Sequence, residues 1–176
     1  MVDVAIHVCS LSQIIIRQLT RADLPALEWG GELIHFRRLF AQVHQQAELG
    51  YAVIWMAVYP SAGLVGQIFV QLNSHDPLLA DGRHQAYIHG FRVRTGYRDQ
   101  GIGSLLLQTA ENDLIARDYC IVVLNVGHDN VDARRMYERR GYRIIGTVPG
   151  RWSYLDHLGR CRDVNEPAWR MEKKLG

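Results

Sequence analysis

A glycine-rich segment in the second half of the sequence has the residue types of a phosphate-binding turn. It runs Arg98-Asp99-Gln100-Gly101-Ile102-Gly103-Ser104, between a predicted strand and a predicted helix. Gly101 and Gly103 have no Cβ atom, so a ligand can approach their backbone closely. The first turn of the following helix presents unpaired N–H groups and a partial positive charge. The segment therefore predicts an anion site suited to phosphate.

Two other phosphate motifs fit this segment poorly. A Walker A loop requires a lysine where Ile102 stands, although Gly96 and Gly101 have the correct glycine spacing. A Rossmann fingerprint requires a third glycine or an alanine where Leu106 stands. Taken alone, the segment also fits an ordinary turn whose glycines serve only packing.

A second segment of chemical interest follows an apolar run that predicts a buried strand. Asn130 is a residue type that commonly caps helix N-termini. Tyr137 lies seven residues later on the same helical face, about 10 Å along the axis. Ala133 on that face leaves room for a ligand or for a packed neighbour. On its own, Tyr137 also fits a half-buried core tyrosine.

The elements that position these segments follow from hydrophobic periodicity. We expect a helix capped by Thr20, longer helices over 32–49 and 102–117, and a short helix over 130–140. The expected strands are 14–19, 52–58, 64–72, 85–94, 119–126, 142–148 and 164–173. The turn residues between the second and third strands predict an antiparallel hairpin. The aromatic segment 150–157 is expected to be a loop.

Length and composition favour one globular domain over residues 1–176, with its core at about 14–173. The 176 residues are 48% apolar and carry 20 Lys and Arg against 18 Asp and Glu, a net charge of +2. DNA-coating proteins are usually far more basic, so no nucleic-acid partner is expected. The apolar runs are too short to span a membrane, and no basic region marks a signal peptide. Three widely spaced cysteines and histidines without ligand spacing predict a cytoplasmic protein without a metal.

Together the two segments resemble the GNAT superfamily of acyl-CoA-dependent N-acetyltransferases. The resemblance rests on Arg98-x-x-Gly101-x-Gly103, followed about 30 residues later by Asn130-x-x-Ala133-x-x-x-Tyr137-x-x-x-Gly141-Tyr142. It extends over about 14–173. It implies an α/β (α+β) fold in which helices flank a mixed, mostly antiparallel sheet. Two neighbouring strands of that sheet, here 85–94 and 119–126, should splay apart.

The resemblance implies acetyl-CoA as the co-substrate. The pantetheine arm would lie in the splayed gap and pair with the first strand as an added strand would. The diphosphate would lie on the amides of the glycine turn. The cofactor-binding residues implied in this way are Phe91, Arg92, Val93, Arg98, Asp99, Gln100, Gly101, Ile102, Gly103, Ser104, Asn130, Ala133 and Tyr137.

The resemblance also implies catalytic roles. Tyr137 matches the general acid that protonates the departing thiolate. Family members place a glutamate base at the position of Tyr87 or of Asn125, and this sequence has neither carboxylate. Strand alternation predicts Tyr87, His89, Phe91 and Val93 on one face. His89 is then the candidate base, acting through water, and a core histidine is the alternative.

The amine acceptor is expected on the side of Tyr87, Trp152 and Tyr154. Family members use the region near Glu32 to Arg38 and the connection at 150–157 to line that pocket, although a segment merely packed over the core is the alternative. The expected activity is acetylation of a primary amine of a small molecule. A protein N-terminus or lysine as acceptor, and an inert CoA-binding sensory module, remain alternatives, and a homodimer is left open.

Overall fold

A seven-stranded sheet organises residues 10–176, the part of the chain that the computed structural model describes; Cys9 lies outside it. The strands are β1 (Ile15–Gln18), β2 (Ala52–Tyr59), β3 (Gly63–Gln71), β4 (Gln85–Val93), β5 (Ile121–Gly127), β6 (Arg143–Val148), β7 (Arg151–Leu155), β8 (Cys161–Asn165) and β9 (Ala168–Lys174). The large sheet has the order β1-β2-β3-β4-β5-β9-β6. Every neighbouring pair is antiparallel except β4 and β5, which are parallel. The predicted mixed, mostly antiparallel sheet is confirmed.

Three α-helices cover the sheet: α1 (Arg37–Glu48), α2 (Ile102–Ala116) and α3 (Val131–Arg139). A 3-10 helix, Arg21–Gly31, precedes them, and its first turn is tied by the Asp23 carboxylate, which accepts from the Thr20 N–H and hydroxyl. The predicted helix over 32–49 begins later than expected. Positive φ angles at Trp29 and Gly30 turn the chain, and α1 starts only after a short 3-10 turn, Ile34–Phe36. In the described residues, no helix has the length and apolar character that a membrane span needs.

The helices pack on opposite faces of the sheet and form two apolar layers. On one face, Phe36 and Phe40 from the α1 region pack against Phe69 of β3. On the other face, Leu106 of α2 and Tyr137 of α3 pack against strand residues such as Ile88 and Leu124. Because both faces are covered, the central strands are apolar on both sides, as the continuous apolar run of β5 predicts.

The segment predicted as a loop at 150–157 is instead half of a hairpin, so that prediction is wrong. Strand β7 pairs with β8 to form a separate two-stranded sheet. The Asp156 carboxylate closes the turn, since it accepts from the backbone N–H groups of Leu158 and Arg160 at 2.9 Å and from Arg162 Nε at 2.8 Å. The predicted final strand over 164–173 is accordingly two strands. They are interrupted at Pro167, which has no N–H to donate to a ladder.

The two parallel strands separate halfway along their length. Strands β4 and β5 are paired from Gln85 with Ile121 to Ile88 with Leu124, and the register ends there. Both strands continue further, to Val93 and Gly127. The predicted splayed pair is therefore present, and it opens a gap through the middle of the sheet between the α1 face and the α2 face.

Candidate active site

An extra residue in β4, at Gly90, determines which side chains reach each face beside the gap. His89 lies opposite Phe69 and Arg92 lies opposite Gln67, so β4 advances three residues while β3 advances two. Gly90 has φ +55°, and a Cβ atom there would lie 2.5 Å from the Phe69 ring. The bulge therefore requires glycine.

This bulge corrects the predicted alternation. Tyr87 and His89 do share a face, and Arg92 joins them in lining one cavity. Phe91 and Val93 instead pack on the opposite side of the sheet, where both approach Gly103 of α2. The prediction of one face for all four residues is wrong for Phe91 and Val93, because the inserted residue reverses the order of sides.

The cavity lies on the α1 face of the splayed strands and has a volume of about 560 Å³. That volume is within the range of small-molecule sites. Its lining is mostly apolar, with a few polar and charged groups. The lining residues are Phe36, Leu39, Phe40, Phe69, Leu79, Tyr87, His89, Gly90, Arg92, Asn125, Gly127, Val148, Pro149, Gly150, Arg151, Trp152, Glu166, Ala168 and Arg170.

A chain of hydrogen bonds orients the polar groups at the cavity floor. Arg170 Nε donates to Asn125 Oδ1 at 2.6 Å, and Asn125 Nδ2 donates to the Tyr87 hydroxyl at 3.3 Å. Sequence reasoning missed Arg170, which lies 45 residues from Asn125. The two residues meet because β9 pairs antiparallel with β5 and places Arg170 opposite Asn125. That register is a tertiary feature with no local signal in the sequence.

His89 is an electrically neutral group in this cavity. Its ring stacks on Tyr87, with centroids 5.4 Å apart and planes 8° from parallel, and meets the Phe69 ring edge-on. Burial, together with the nearby charge of Arg92, lowers the pKa of His89 from 6.5 to about 4. The expectation of a pKa near the working pH is therefore not met. The role of His89 as the base stays a prediction. With this pKa, the neutral imidazole is a weak base.

Tyr137 lies on the other face, at the far side of the gap. Its side chain is 7% exposed and packs against Phe91 and Tyr142, with ring centroids 6.3 and 5.5 Å away. Burial raises the pKa of Tyr137 well above its usual value of 10, and the nearby Tyr87 adds to this effect. The phenol therefore keeps its proton at neutral pH.

The glycine turn has the expected strand–turn–helix context. Gly101 is the N-cap of α2 with φ +86°, and the free N–H groups of the first turn follow it. Arg98 folds back, and its Nε donates to the Val93 carbonyl at 2.9 Å. The Asn130 side chain accepts from the Ala133 N–H at 3.2 Å, which confirms the predicted helix cap. The binding roles assigned to these residues stay predictions.

Two of the three predicted acceptor residues lie in the cavity lining, and the third does not. Tyr87 and Trp152 line the cavity. Tyr154 does not line the cavity. Its ring packs on the rings of Phe36 and Trp152, with centroids 4.9 and 5.4 Å away. Phe36 itself comes from the region near Glu32 to Arg38 that was expected to contribute. Within residues 10–176, no three His, Cys, Asp or Glu side chains are grouped as a metal ion would require.

Comparison with known proteins places this geometry in context. A sequence model of the acetyltransferase (GNAT) family matches residues 16–142. No curated protein matches the chain.

Many solved structures are similar in fold, and three of them illustrate the range. The ribosomal-protein-S18-alanine N-acetyltransferase from Escherichia coli has a TM-score of 0.68 at 20% identity, over 93% of this chain and 94% of that one. Spermidine N-acetyltransferase from Vibrio cholerae has a TM-score of 0.67 at 16% identity, over 93% and 94%. NAA60 from Arabidopsis thaliana, in complex with acetyl-CoA, has a TM-score of 0.66 at 23% identity, over 92% and 98%.

Proposed function

The chain belongs to the acetyltransferase (GNAT) family, and on that premise we propose that it transfers an acetyl group from acetyl-CoA to a primary amine of a small molecule. The observation that carries the proposal is the gap between β4 and β5. A cavity of about 560 Å³ lies on one face of the sheet beside this gap, and the glycine turn and Tyr137 lie on the other face. An acyl donor and an amine can therefore meet from opposite sides of the sheet.

The residues around the gap fit coenzyme A. The first turn of α2, a helix of 15 residues, presents its amides after Gly101, and these would hold the diphosphate. Beyond Ile88, β4 has lost its pairing with β5, so its backbone can pair with an extended pantetheine arm. When bound, acetyl-CoA supplies the thioester that carries the acetyl group. Phe91, Arg92 and Val93 would contribute backbone contacts to it.

The amine must lose a proton before it can react, and the cavity favours that loss electrostatically. Tyr87 and Asn125 occupy the positions where a carboxylate base was sought, and they bond to each other instead. Arg92 and Arg170 line the same cavity, and their positive charges disfavour a further positive charge there. Their charges lower the pKa of a bound ammonium group, so its proton can leave to water. His89, neutral at pH 7, can accept a hydrogen bond from that water.

Tyr137 then acts as the general acid. The amine nitrogen forms a bond to the acetyl carbon, the carbon–sulfur bond breaks, and the Tyr137 hydroxyl gives its proton to the sulfur. The nitrogen loses its second proton as the amide forms, and that proton returns through water to the Tyr137 oxygen. The raised pKa of Tyr137 keeps that proton available until the thiolate forms. A backbone N–H of β4 beyond Ile88 can donate to the carbonyl oxygen as negative charge develops there.

The small-molecule acceptor is supported by the shape of the cavity. The hairpin β7–β8 approaches the start of α1, where the Trp152 ring stacks on Phe36 with centroids 6.4 Å apart and planes 18° from parallel. Tyr154 packs on the same ring. These contacts place aromatic side chains along the α1 side of the cavity, and a volume of about 560 Å³ suits a compact acceptor.

The variant Tyr137→Phe tests the proposal. It keeps the packing on Phe91 and Tyr142 and removes only the hydroxyl, so CoA binding measured by calorimetry should not change. We expect kcat for thiol release to fall by about 10²- to 10⁴-fold. Tyr51→Phe, at an exposed tyrosine remote from the cavity lining, is the matched control and should leave kcat unchanged. An unchanged kcat in Tyr137→Phe would reject the general acid, and no CoA binding by the native chain would reject the proposed function.

A further inference from the structure

We propose that the amine acceptor also carries a carboxylate, which Arg92 and Arg170 bind inside the cavity. This inference rests on the proposed acetyl transfer and names the class of its acceptor: an amino-acid-like molecule with an apolar body, in place of a polyamine.

The cavity carries an excess of positive charge. Its lining contains three arginines, Arg92, Arg151 and Arg170, against a single glutamate, Glu166, which leaves two excess positive charges. His89 adds none at neutral pH, since its pKa is lowered to about 4. A cationic polyamine entering this cavity would meet repulsion, whereas an anion would be attracted.

Among the described residues, these cations lack anionic partners. Across residues 10–176, the guanidinium groups of Arg92, Arg151 and Arg170 form no ion pair within 4.0 Å of a carboxylate, although other arginines do. Glu166 influences Arg92 through its charge but lies beyond ion-pair distance. Arg92 and Arg170 are half-buried, whereas Arg151 is exposed, so these two arginines have given up hydration without a charged partner in return.

Neighbouring groups hold the side chains of Arg92 and Arg170 in place. Arg170 is fixed by its Nε bond to Asn125 at 2.6 Å and an NH1 bond to the Leu78 carbonyl at 3.3 Å, which leaves further N–H groups free. Arg92 lies over the Phe36 ring, 4.9 Å from its centroid, and burial lowers the pKa of its guanidinium. Both donors are therefore pre-positioned, and a guanidinium presents its N–H groups in the fork that a carboxylate matches.

The apolar residues of the cavity lining determine which side chain of the acceptor fits. Beside these arginines the cavity presents aromatic and aliphatic side chains, among them those of Phe40, Phe69, Leu39 and Leu79. An acceptor with an apolar side chain next to its amine and carboxylate satisfies both sets of contacts. Phenylalanine and leucine are therefore suitable probes.

The experiment compares amines that differ only in the acid group. Phenylalanine is paired with phenethylamine, leucine with isopentylamine, and spermidine is added as a polycation, with thiol release measured at equal concentrations of free amine. We expect kcat/KM to be about 10- to 100-fold higher for the acid-bearing member of each pair, since charged hydrogen bonds contribute that much. Spermidine should be the poorest acceptor. Thiol release that does not discriminate within the pairs would overturn this inference and leave acetyl transfer standing.

Variants assign the preference to the two arginines. In Arg92→Gln and Arg170→Gln, the ratio within each pair should approach one, and Arg92→Lys should recover part of it. Arg160→Gln, at an exposed arginine of the β7–β8 turn that does not line the cavity, is the control and should keep the full ratio. A ratio retained in both cavity variants would overturn the assignment.

A binding measurement separates this inference from catalysis. With CoA present, calorimetry should detect 3-phenylpropanoate and not 3-phenylpropan-1-ol, and the Arg92→Gln variant should lose that binding. Binding of the anion without any thiol release would contradict acetyl transfer and still support the anion site. Equal binding of the alcohol would overturn the anion site. A stronger response to the phosphonate analogue of phenylalanine than to phenylalanine would overturn the carboxylate in favour of a phosphorylated acceptor.

Discussion

Gly90→Ala is the sharpest perturbation of the site, because the bulge in β4 depends on the absence of a side chain. A non-glycine residue at φ +55° is strained by about 1–2 kcal/mol. The new Cβ would also lie 2.5 and 2.8 Å from two carbons of the Phe69 ring, which is buried at 1% exposure and cannot withdraw freely. Overpacking of this kind costs about 1–3 kcal/mol. We expect Gly90→Ala to lower the free energy of unfolding by about 2–5 kcal/mol.

Urea denaturation followed by circular dichroism measures this loss as a shift in the midpoint at constant slope. Gly146→Ala is the matched control, because it also adds one methyl group to a strand glycine, and no heavy atom lies within 4 Å of that position. Its effect should stay within about 0.5 kcal/mol. The double variant Gly90→Ala with Phe69→Leu should recover part of the loss by making room.

The same variant should reduce activity more than stability alone requires. If β4 loses its extra residue, Arg92 no longer faces the cavity with His89, so kcat/KM should fall even under conditions where the variant is fully folded. A Gly90→Ala protein with the stability and activity of the Gly146→Ala control would refute the assignment of the bulge.

Two further predictions concern groups away from the bulge. Glu111 is 8% exposed and accepts from Lys173 Nζ at 2.6 Å and from the Tyr142 hydroxyl at 2.9 Å. Glu111→Ala should therefore cost about 3 kcal/mol in urea denaturation, and a loss below 1 kcal/mol would contradict the network. His89 has a folded-state pKa of about 4, below its unfolded value of 6.5, so its contribution to stability is complete above pH 6.5 and is lost as pH falls towards 4. An NMR titration of its ring with a midpoint near 6.5 would contradict this environment, and His89→Gln supplies the peak assignment.

Local patterns were sufficient for much of the architecture. The hairpin of β2 and β3, the helix after the glycine turn and the Asn130 cap were all expected from turn residues, periodicity and capping preferences. These features depend on neighbours within a few residues, and local preferences report such neighbours well. The β7–β8 hairpin was missed because its closure depends on hydrogen bonds to the Asp156 side chain, and its strands are short and largely exposed.

The placement of the glycine turn and of the α3 residues could be predicted from the sequence, and the placement of the two cavity arginines could not. Gly101, Asn130 and Tyr137 lie within two continuous strand–helix segments, so their relative placement follows from the sequence around them. Arg170 faces Asn125 only because β9 inserts between β5 and β6, and Arg92 enters the cavity only because of the bulge at Gly90. Strand order and a one-residue change of register are set by the packing of distant segments, and the energies that decide them are not encoded in any single stretch of residues.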